Sequence, residues 1–101
     1  MRDLTAVHGL DLTDEVFEVL HQAGGAVVER IVSSGQASQW FDQDHDEWVM
    51  VLSGSADLEY ANGATVHISA GQGLVIPASV RHRVVRTARP TIWVAVHFPS
   101  V

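Results

Sequence analysis

Short runs of β-branched and aromatic residues fill most of the chain after Gly25, and residues that favour turns separate them. Such turn signals recur every eight to twelve residues or so, a spacing typical of small all-β domains. The strongest run is 47–52, which reads EWVMVL. The predicted strands cover residues 26–32, 36–41, 47–52, 56–60, 65–68, 74–76, 81–86 and 91–98. This pattern predicts an all-β sandwich or barrel.

The stretch before these strands predicts a short helix over residues 13–23. Thr13 can cap its N-terminus, and Asp14 and Glu15 would lie favourably in the first turn. One face of the helix would carry the apolar residues Val16, Phe17, Val19 and Leu20. The Gly24-Gly25 pair would end it. We therefore expect one domain, with residues 1–25 as an N-terminal segment that contains the helix and 26–101 as the barrel.

The composition is that of a folded domain, because 47% of the 101 residues are hydrophobic and 18% are charged. A chain of this length holds one modest core. It has no cysteine, so disulfides and thiolate metal sites are excluded. No apolar run approaches the ~18 residues of a membrane span, and the N-terminus lacks the layout of a signal peptide. We expect a cytoplasmic protein with no membrane partner.

The charge of the chain bears on its partners. A net charge of −6 argues against nucleic acid, since binding to phosphates needs a basic patch. Four of the six Lys and Arg residues do cluster, at Arg81, Arg83, Arg86 and Arg89. We interpret them as solvated arginines or as anchors for the acidic residues 42–47, in preference to a phosphate site. The charge of the chain does not exclude a small anionic molecule as the substrate.

Two sets of spaced residues resemble the two sequence motifs of the cupin family. The first motif's glycine, glutamate and glycine correspond to Gly35, Glu47 and Gly54. The second motif's glycine, proline and histidine correspond to Gly71, Pro77 and His82. The resemblance covers about residues 26–98 and is greatest to small, single-domain bacterial cupins. It implies a double-stranded β-helix, or jelly-roll barrel, in which Glu47 and His82 face each other inside.

The resemblance also implies a metal site, and this chain departs from it. Cupins of the standard type offer three histidines and one glutamate to a metal ion. Here the two histidine positions of the first motif hold Phe41 and Gln43. This alignment uses a gap of three residues between the histidine pair and the glutamate of the first motif. A gap of four residues would place Trp40 and Asp42 at the histidine positions instead, and Gly35 would no longer match the motif's first glycine. Either alignment leaves few imidazoles and a set of ligands rich in oxygen.

We accordingly expect Glu47 and His82 as ligands of any divalent metal (Fe, Mn, Ni or Zn), with Gln43 and either His45 or Asp42 as auxiliary ligands. Residues two apart on a strand share a face, so His45 would align with Gln43 and Glu47 if the strand began early. The alternative is that residues 42–46 form an exposed polar turn. A Glu47–His82 pair can also satisfy itself by hydrogen bonding without metal.

His97 is the candidate catalytic residue. It would share one face of its strand with Trp93 and Ala95, where it can act as a general base or an extra ligand. The alternative is a histidine at the end of a strand that bonds to the backbone. Trp48 should face away from Glu47 and pack outside the pocket. We expect such outward aromatic residues, together with the helix, to support a homodimer.

Two functions follow as hypotheses. The first is a metal-binding cupin with an enzyme-like pocket for a small organic molecule. The sequence does not specify which reaction such a pocket would catalyse. The second is a metal-free cupin that binds or senses a small molecule, and the loss of the two motif histidines favours it. The chain contains no Gly-x-Ser-x-Gly, phosphate loop, HExxH or dinucleotide fingerprint. Serine-nucleophile and nucleotide chemistry are therefore not expected.

Overall fold

The computed structural model of the protein describes residues 1–100, so residue 101, the end of the predicted barrel, lies outside the described part. The fold consists of eight β-strands: β1 Val16–Ala23, β2 Ala26–Ser33, β3 Glu47–Ser53, β4 Ser55–Tyr60, β5 Thr65–Ser69, β6 Gly73–Ile76, β7 His82–Thr87 and β8 Thr91–His97. They form a five-stranded sheet, in the order β1-β2-β8-β3-β6, and a three-stranded sheet, in the order β5-β4-β7. All strand pairs are antiparallel. The all-β jelly-roll prediction is confirmed.

The helix predicted for residues 13–23 is wrong. Residues 16–23 are strand β1, which pairs with β2 from Val16 opposite Val32 to Ala23 opposite Ala26. Gly24 and Gly25 have φ angles of +57° and +81°, as expected for the two-residue turn that suits the twist of a hairpin. The glycine pair therefore turns the chain back instead of ending a helix. Hydrogen bonding to β2, which a local pattern does not reveal, outweighs the weak helical propensity of this stretch.

The segment between β2 and β3 forms only one bridge in place of the strand predicted at 36–41. Phe41 and His82 exchange two backbone hydrogen bonds, with N···O distances of 2.7 and 3.0 Å. Nearby, the Ser38 amide donates to the Val84 carbonyl at 2.9 Å. These contacts hold the segment along β7, so that its side chains cover one end of the space between the sheets.

The core lies between the facing sides of the two sheets. The five-stranded sheet contributes Val49, Val51, Ile76, Trp93 and Ala95, and the three-stranded sheet contributes Ala56, Leu58 and Ile68. Strand alternation places Trp48 on the opposite face of β3 from Glu47, as predicted. The predicted shared face of Trp93, Ala95 and His97 also follows from the register of β8 with β3.

The outer face of the five-stranded sheet carries a buried arginine. Arg30 is 2% exposed and donates to the carbonyl oxygens of Leu4 and Ala6 at 2.9 and 2.8 Å. Its guanidinium also pairs with the Glu18 carboxylate of the neighbouring strand at 2.6 Å. These bonds replace the hydrogen bonds to water that the guanidinium loses on burial. Because two of them go to the N-terminal segment, Arg30 attaches that segment to the sheet.

Within residues 1–100, no helix is long and apolar enough to cross a membrane.

Candidate functional site

A cavity of about 160 Å³ opens between the two sheets, at the end where the 38–43 segment lies along β7. Its apolar lining consists of Phe17, Ile31, Phe41, Val49, Leu58, Ile76, Val84 and Trp93. Its polar lining consists of Glu15, Glu29, Ser38, Gln43, Glu47, His82 and His97. Apolar walls with a few convergent polar groups are typical of sites for small molecules.

Strand register explains why acidic and imidazole groups meet in this cavity. Glu47 on β3 lies directly opposite His97 on β8, and His97 lies opposite Val27 on β2. Directly paired residues point to the same face of a sheet, as do residues two apart on one strand. Glu29, two residues after Val27, therefore shares the cavity face with His97.

His97 is bonded through both ring nitrogens. Its Nε2 lies 2.8 Å from Glu29 Oε1 and 3.9 Å from Glu47 Oε2. Its Nδ1 lies 3.0 Å from Nε2 of His45. The hydrogen bond to Glu29 raises the pKa of His97 above its ordinary value; burial opposes this, and the charges of Glu47 and Glu29 add to it.

Proton counting gives the charge of the two imidazoles. The Nδ1 atom of His45 lies 3.2 Å from Asp44 Oδ1, so the rings of His45 and His97 make three contacts that each need a hydrogen. The hydrogen bond from His45 also lowers the pKa of Asp44, which leaves that group an acceptor. Two neutral imidazoles supply only two N–H groups. The pair therefore carries a single positive charge when all three bonds are formed.

Glu47 is a buried carboxylate with one neutral partner. The residue is 8% exposed, and its Oε1 accepts a hydrogen bond from the Gln43 amide at 3.1 Å. Its Oε2 has no donor within hydrogen-bonding distance in residues 1–100, since His97 is 3.9 Å away. Such an oxygen, turned toward a cavity, is an open acceptor.

His82 is an acceptor as well. The residue is 4% exposed, and its Nδ1 lies 2.9 Å from the Val80 carbonyl oxygen. A carbonyl only accepts, so Nδ1 carries the hydrogen. When the ring is neutral, Nε2 then carries a lone pair. The ring also packs against Phe41, with 5.7 Å between the ring centroids. Among the described residues, Nε2 has no hydrogen-bond partner.

The structure brings together most of the side chains that the sequence singles out. Gln43, Glu47, His82 and His97 all line the cavity. His45 lies behind His97 and contacts its ring. Asp42 is exposed and does not line the cavity.

Three further residues line the cavity that the sequence did not single out as site residues: Glu15, Glu29 and Ser38. Glu29 had a readable signal, because it interrupts the otherwise apolar face of Val27 and Ile31 on a predicted strand. A carboxylate on the buried face of a strand is rare without a role. Glu15 and Ser38 carry no comparable signal, because Glu15 falls in the first turn of the predicted helix and Ser38 in the predicted strand 36–41, and the structure contains neither element.

The arginine cluster lies away from the cavity. Arg81 and Arg83 stack on the ring of Trp40, at 4.9 and 4.7 Å from its centroid. Arg83 also pairs with Glu59, and Arg86 pairs with Asp57. Trp40 therefore packs against arginines outside the cavity, whereas its neighbour Phe41 lines the cavity.

The side chains present do not fit the metal site of a standard cupin. No group of three or more His, Cys, Asp and Glu side chains within residues 1–100 is arranged to hold a metal ion. Phe41 offers no donor atom, Gln43 turns its amide nitrogen to Glu47, and His97 already has two partners. Coordination by Glu47 and His82, with Gln43, His45 or Asp42, stays a prediction.

Two antiparallel sheets that enclose a cavity at one end define a jelly-roll barrel protein. The chain belongs to the cupin family: the Cupin_2 model, which describes a cupin domain, matches residues 28–97. No curated protein matches the chain.

Solved structures agree with this assignment. A Ralstonia eutropha structure named "putative mannose-6-phosphate isomerase" is 42% identical over 99% of this chain and 98% of its own, with a TM-score of 0.90. A cupin superfamily protein from Desulfitobacterium hafniense has a TM-score of 0.83 at 11% identity, over 96% of this chain and 87% of its own. A double-stranded β-helix protein from Klebsiella pneumoniae has a TM-score of 0.79 at 19% identity, over 99% and 90%. The last two similarities show the fold alone.

Proposed function

We propose that this cupin binds a small organic molecule in the cavity between its sheets and does so without a resident metal ion. The observation that carries the proposal is the pairing of two open acceptors, Glu47 Oε2 and His82 Nε2, with a largely apolar lining. Both atoms are accessible from the cavity, because no fully buried side-chain polar atom within residues 1–100 lacks a hydrogen-bond partner. A bound molecule that donates to both would bury its own apolar surface against the apolar lining.

The size of the cavity limits the ligand. An apolar cavity of roughly 150 Å³ accommodates benzene, and the volume here is about 160 Å³. A ligand of about that size fits, with its polar end at Glu47 and His82. Phe17 and Phe41, which are 60% and 40% exposed, lie at the opening, so a longer ligand could extend past them.

The name of the Ralstonia structure raises the question of a hexose phosphate. No arginine or lysine lines the cavity within residues 1–100, whereas three carboxylates do. A phosphate group needs cationic or N–H donor partners, and carboxylates repel it. We therefore do not extend that substrate to this protein.

The first experiment measures metal content. Protein purified without added metal, and protein incubated with Fe, Mn, Ni or Zn and then desalted, would be examined by elemental analysis. We expect no stoichiometric metal in either. About one metal ion per chain, lost in a His82→Ala variant, would overturn the metal-free proposal and restore the hypothesis of a metal-binding cupin.

The second experiment measures binding with a screen of small fragments of mixed charge, followed by NMR at the Trp93 indole. Val84 lines the cavity and its neighbour Val85 is 45% exposed, which offers a matched pair of variants. Fragments that shift the Trp93 signal should fail to do so in Val84→Phe and should still do so in Val85→Phe. A screen without any hit at Trp93 would refute binding in the cavity.

A catalytic role for His97 stays a prediction. Both of its ring nitrogens are engaged, so an incoming ligand would have to displace Glu29 or His45 before it could exchange a proton there. If His97 only positions Glu29, a His97→Gln variant should weaken binding without abolishing turnover of any substrate that is found.

A further inference from the structure

The polar atoms that the cavity leaves open are mainly acceptors. Glu47 Oε2 carries lone pairs, as does His82 Nε2 in the neutral ring, and neither has a donor within hydrogen-bonding distance in residues 1–100. His82 is 4% exposed, and the Glu47 side chain is 11% exposed. A molecule that satisfies them must bring hydrogen-bond donors.

The donors of the cavity wall are already in use. The Trp93 indole N–H donates to Ser33 Oγ at 3.2 Å, and the Ser33 hydroxyl donates to Glu15 at 2.5 Å. The Ser38 hydroxyl donates to the Gln39 carbonyl at 2.9 Å, and His97 Nε2 donates to Glu29. A carboxylate or phosphate ligand would meet almost no free N–H or O–H group, the second amide hydrogen of Gln43 excepted.

The charge of the cavity has the same sign as such a ligand. Within the described chain, its lining includes Glu15, Glu29 and Glu47, and no arginine or lysine. His45 and His97 share one positive charge when all three of their hydrogen bonds are formed, and that charge lies against Glu29. Glu47 therefore remains a buried carboxylate whose nearest basic group, the His97 imidazole, is 3.9 Å away. Charges in partly dry surroundings are poorly screened, so the field favours a cation.

We propose that the ligand is a small organic cation of the ammonium class, with N–H groups on Glu47 Oε2 and His82 Nε2 and an apolar remainder against Trp93, Ile31 and Val49. This deepens the proposed function and rests on it. An ammonium group supplies up to three donors and one positive charge, which match the two acceptors and the negative charge of Glu47. An alcohol of equal shape supplies one donor and no charge.

The test uses three probes of nearly equal shape: benzylamine, benzyl alcohol and benzoate. Calorimetry and the NMR signal of the Trp93 indole would measure their binding to the full chain at constant ionic strength. We expect benzylamine to bind at least tenfold more tightly than benzyl alcohol, and benzoate to show no binding. In Glu47→Gln, affinity for benzylamine should fall by roughly 30-fold, the effect of removing one partner of a desolvated charge pair, and that for benzyl alcohol should change little.

Glu59→Gln is the matched control, because Glu59 pairs with Arg83 outside the cavity; it should leave all three affinities unchanged. Benzoate or benzyl alcohol binding at Trp93 as tightly as benzylamine would overturn the cation inference and leave the proposed function standing. The cation inference would also fail if Glu47→Gln bound benzylamine as tightly as the parent protein does. Failure of all three probes to bind would count against both proposals.

Discussion

Glu47 and His97 are direct partners across strands β3 and β8, with the carboxylate Oε2 3.9 Å from the imidazole Nε2. The contact is electrostatic without being a hydrogen bond, because the His97 Nε2–H is directed to Glu29 at 2.8 Å. His97 thus satisfies one carboxylate and leaves the other open to the cavity. Because Glu29 accepts the His97 N–H and Glu47 does not, Glu47 is the carboxylate that can accept a hydrogen bond from a ligand, which supports the proposed binding role.

The pKa of His97 should make stability depend on pH. Because the folded-state pKa is raised above the ordinary 6.5, the stabilisation is complete below about pH 6.5 and is lost as the pH rises through the folded pKa. Glu29→Gln removes the largest cause, so it should lower that pKa and flatten the profile. NMR titration of His97 and urea denaturation at several pH values would measure both. Titration of His97 at or below 6.5 in the parent protein would contradict this.

Gly54 should tolerate no side chain. Its φ is +90°, and an added Cβ would lie 2.6 Å from the Pro90 carbonyl oxygen and 2.7 Å from Thr91 Oγ1. Gly63 has φ +89° and open space around it, so Gly63→Ala should cost only the backbone strain of about 1–2 kcal/mol. Gly54→Ala should cost roughly 1–3 kcal/mol more, from overpacking. Equal urea midpoints for the two variants would show that the contacts at Gly54 relax easily.

Arg30 should matter far more to stability than an exposed arginine. Arg30→Met leaves the carbonyl oxygens of Leu4 and Ala6 without their side-chain donor and leaves Glu18 with Arg2 alone, so we expect a loss of about 2–3 kcal/mol in the free energy of unfolding. Arg83→Met, at a side chain that is 40% exposed, should cost less than about 1 kcal/mol. Denaturant unfolding would measure both. Limited proteolysis should also cut the N-terminal segment faster in Arg30→Met only.

The turn between β1 and β2 should accept asparagine at its first glycine. Asn-Gly suits a hairpin turn with two positive φ angles, and nothing lies within 4 Å of a Cβ added at Gly24. Gly24→Asn should therefore change stability by less than about 0.5 kcal/mol. A Cβ at Gly25 would lie 3.0 Å from Pro99, so Gly25→Asn should be the costlier of the two. A helical circular-dichroism signal in the parent protein would contradict a strand at residues 16–23.

The homodimer stays a prediction, and the outer face of the five-stranded sheet is where we expect it. Val28, Val96, Trp48 and Val75 form one apolar row across four strands, and Val75 is 57% exposed. Light scattering should show a dimer that Val75→Asp converts to a monomer. Val85→Asp, at a valine of the other sheet that is 45% exposed, should remain dimeric. A parent protein that is monomeric at micromolar concentration would disprove the prediction.

Much of the site can be predicted from the sequence because its positions follow strand alternation. Motif spacing identifies Glu47 and His82, and the period of two identifies the shared face of Trp93 and His97. Glu29 obeys the same rule and is still missed, since one residue on a strand does not reveal which other strand it faces. The contact between His45 and His97, which are 52 residues apart, has no local signal at all.

Turn glycines, strand alternation and motif spacing are local properties, and for that reason they suffice to identify this chain as a β-rich cupin. The strand at residues 16–23 emerges only in the folded chain, because its hydrogen bonds come from a partner strand that local propensity does not include. The chemistry of the site depends on the tertiary structure in the same way. Glu47 and His82 lie where the motifs predict them. The side chains around them come from separate strands and turns, and only the folded chain brings these side chains close enough to hydrogen-bond to one another.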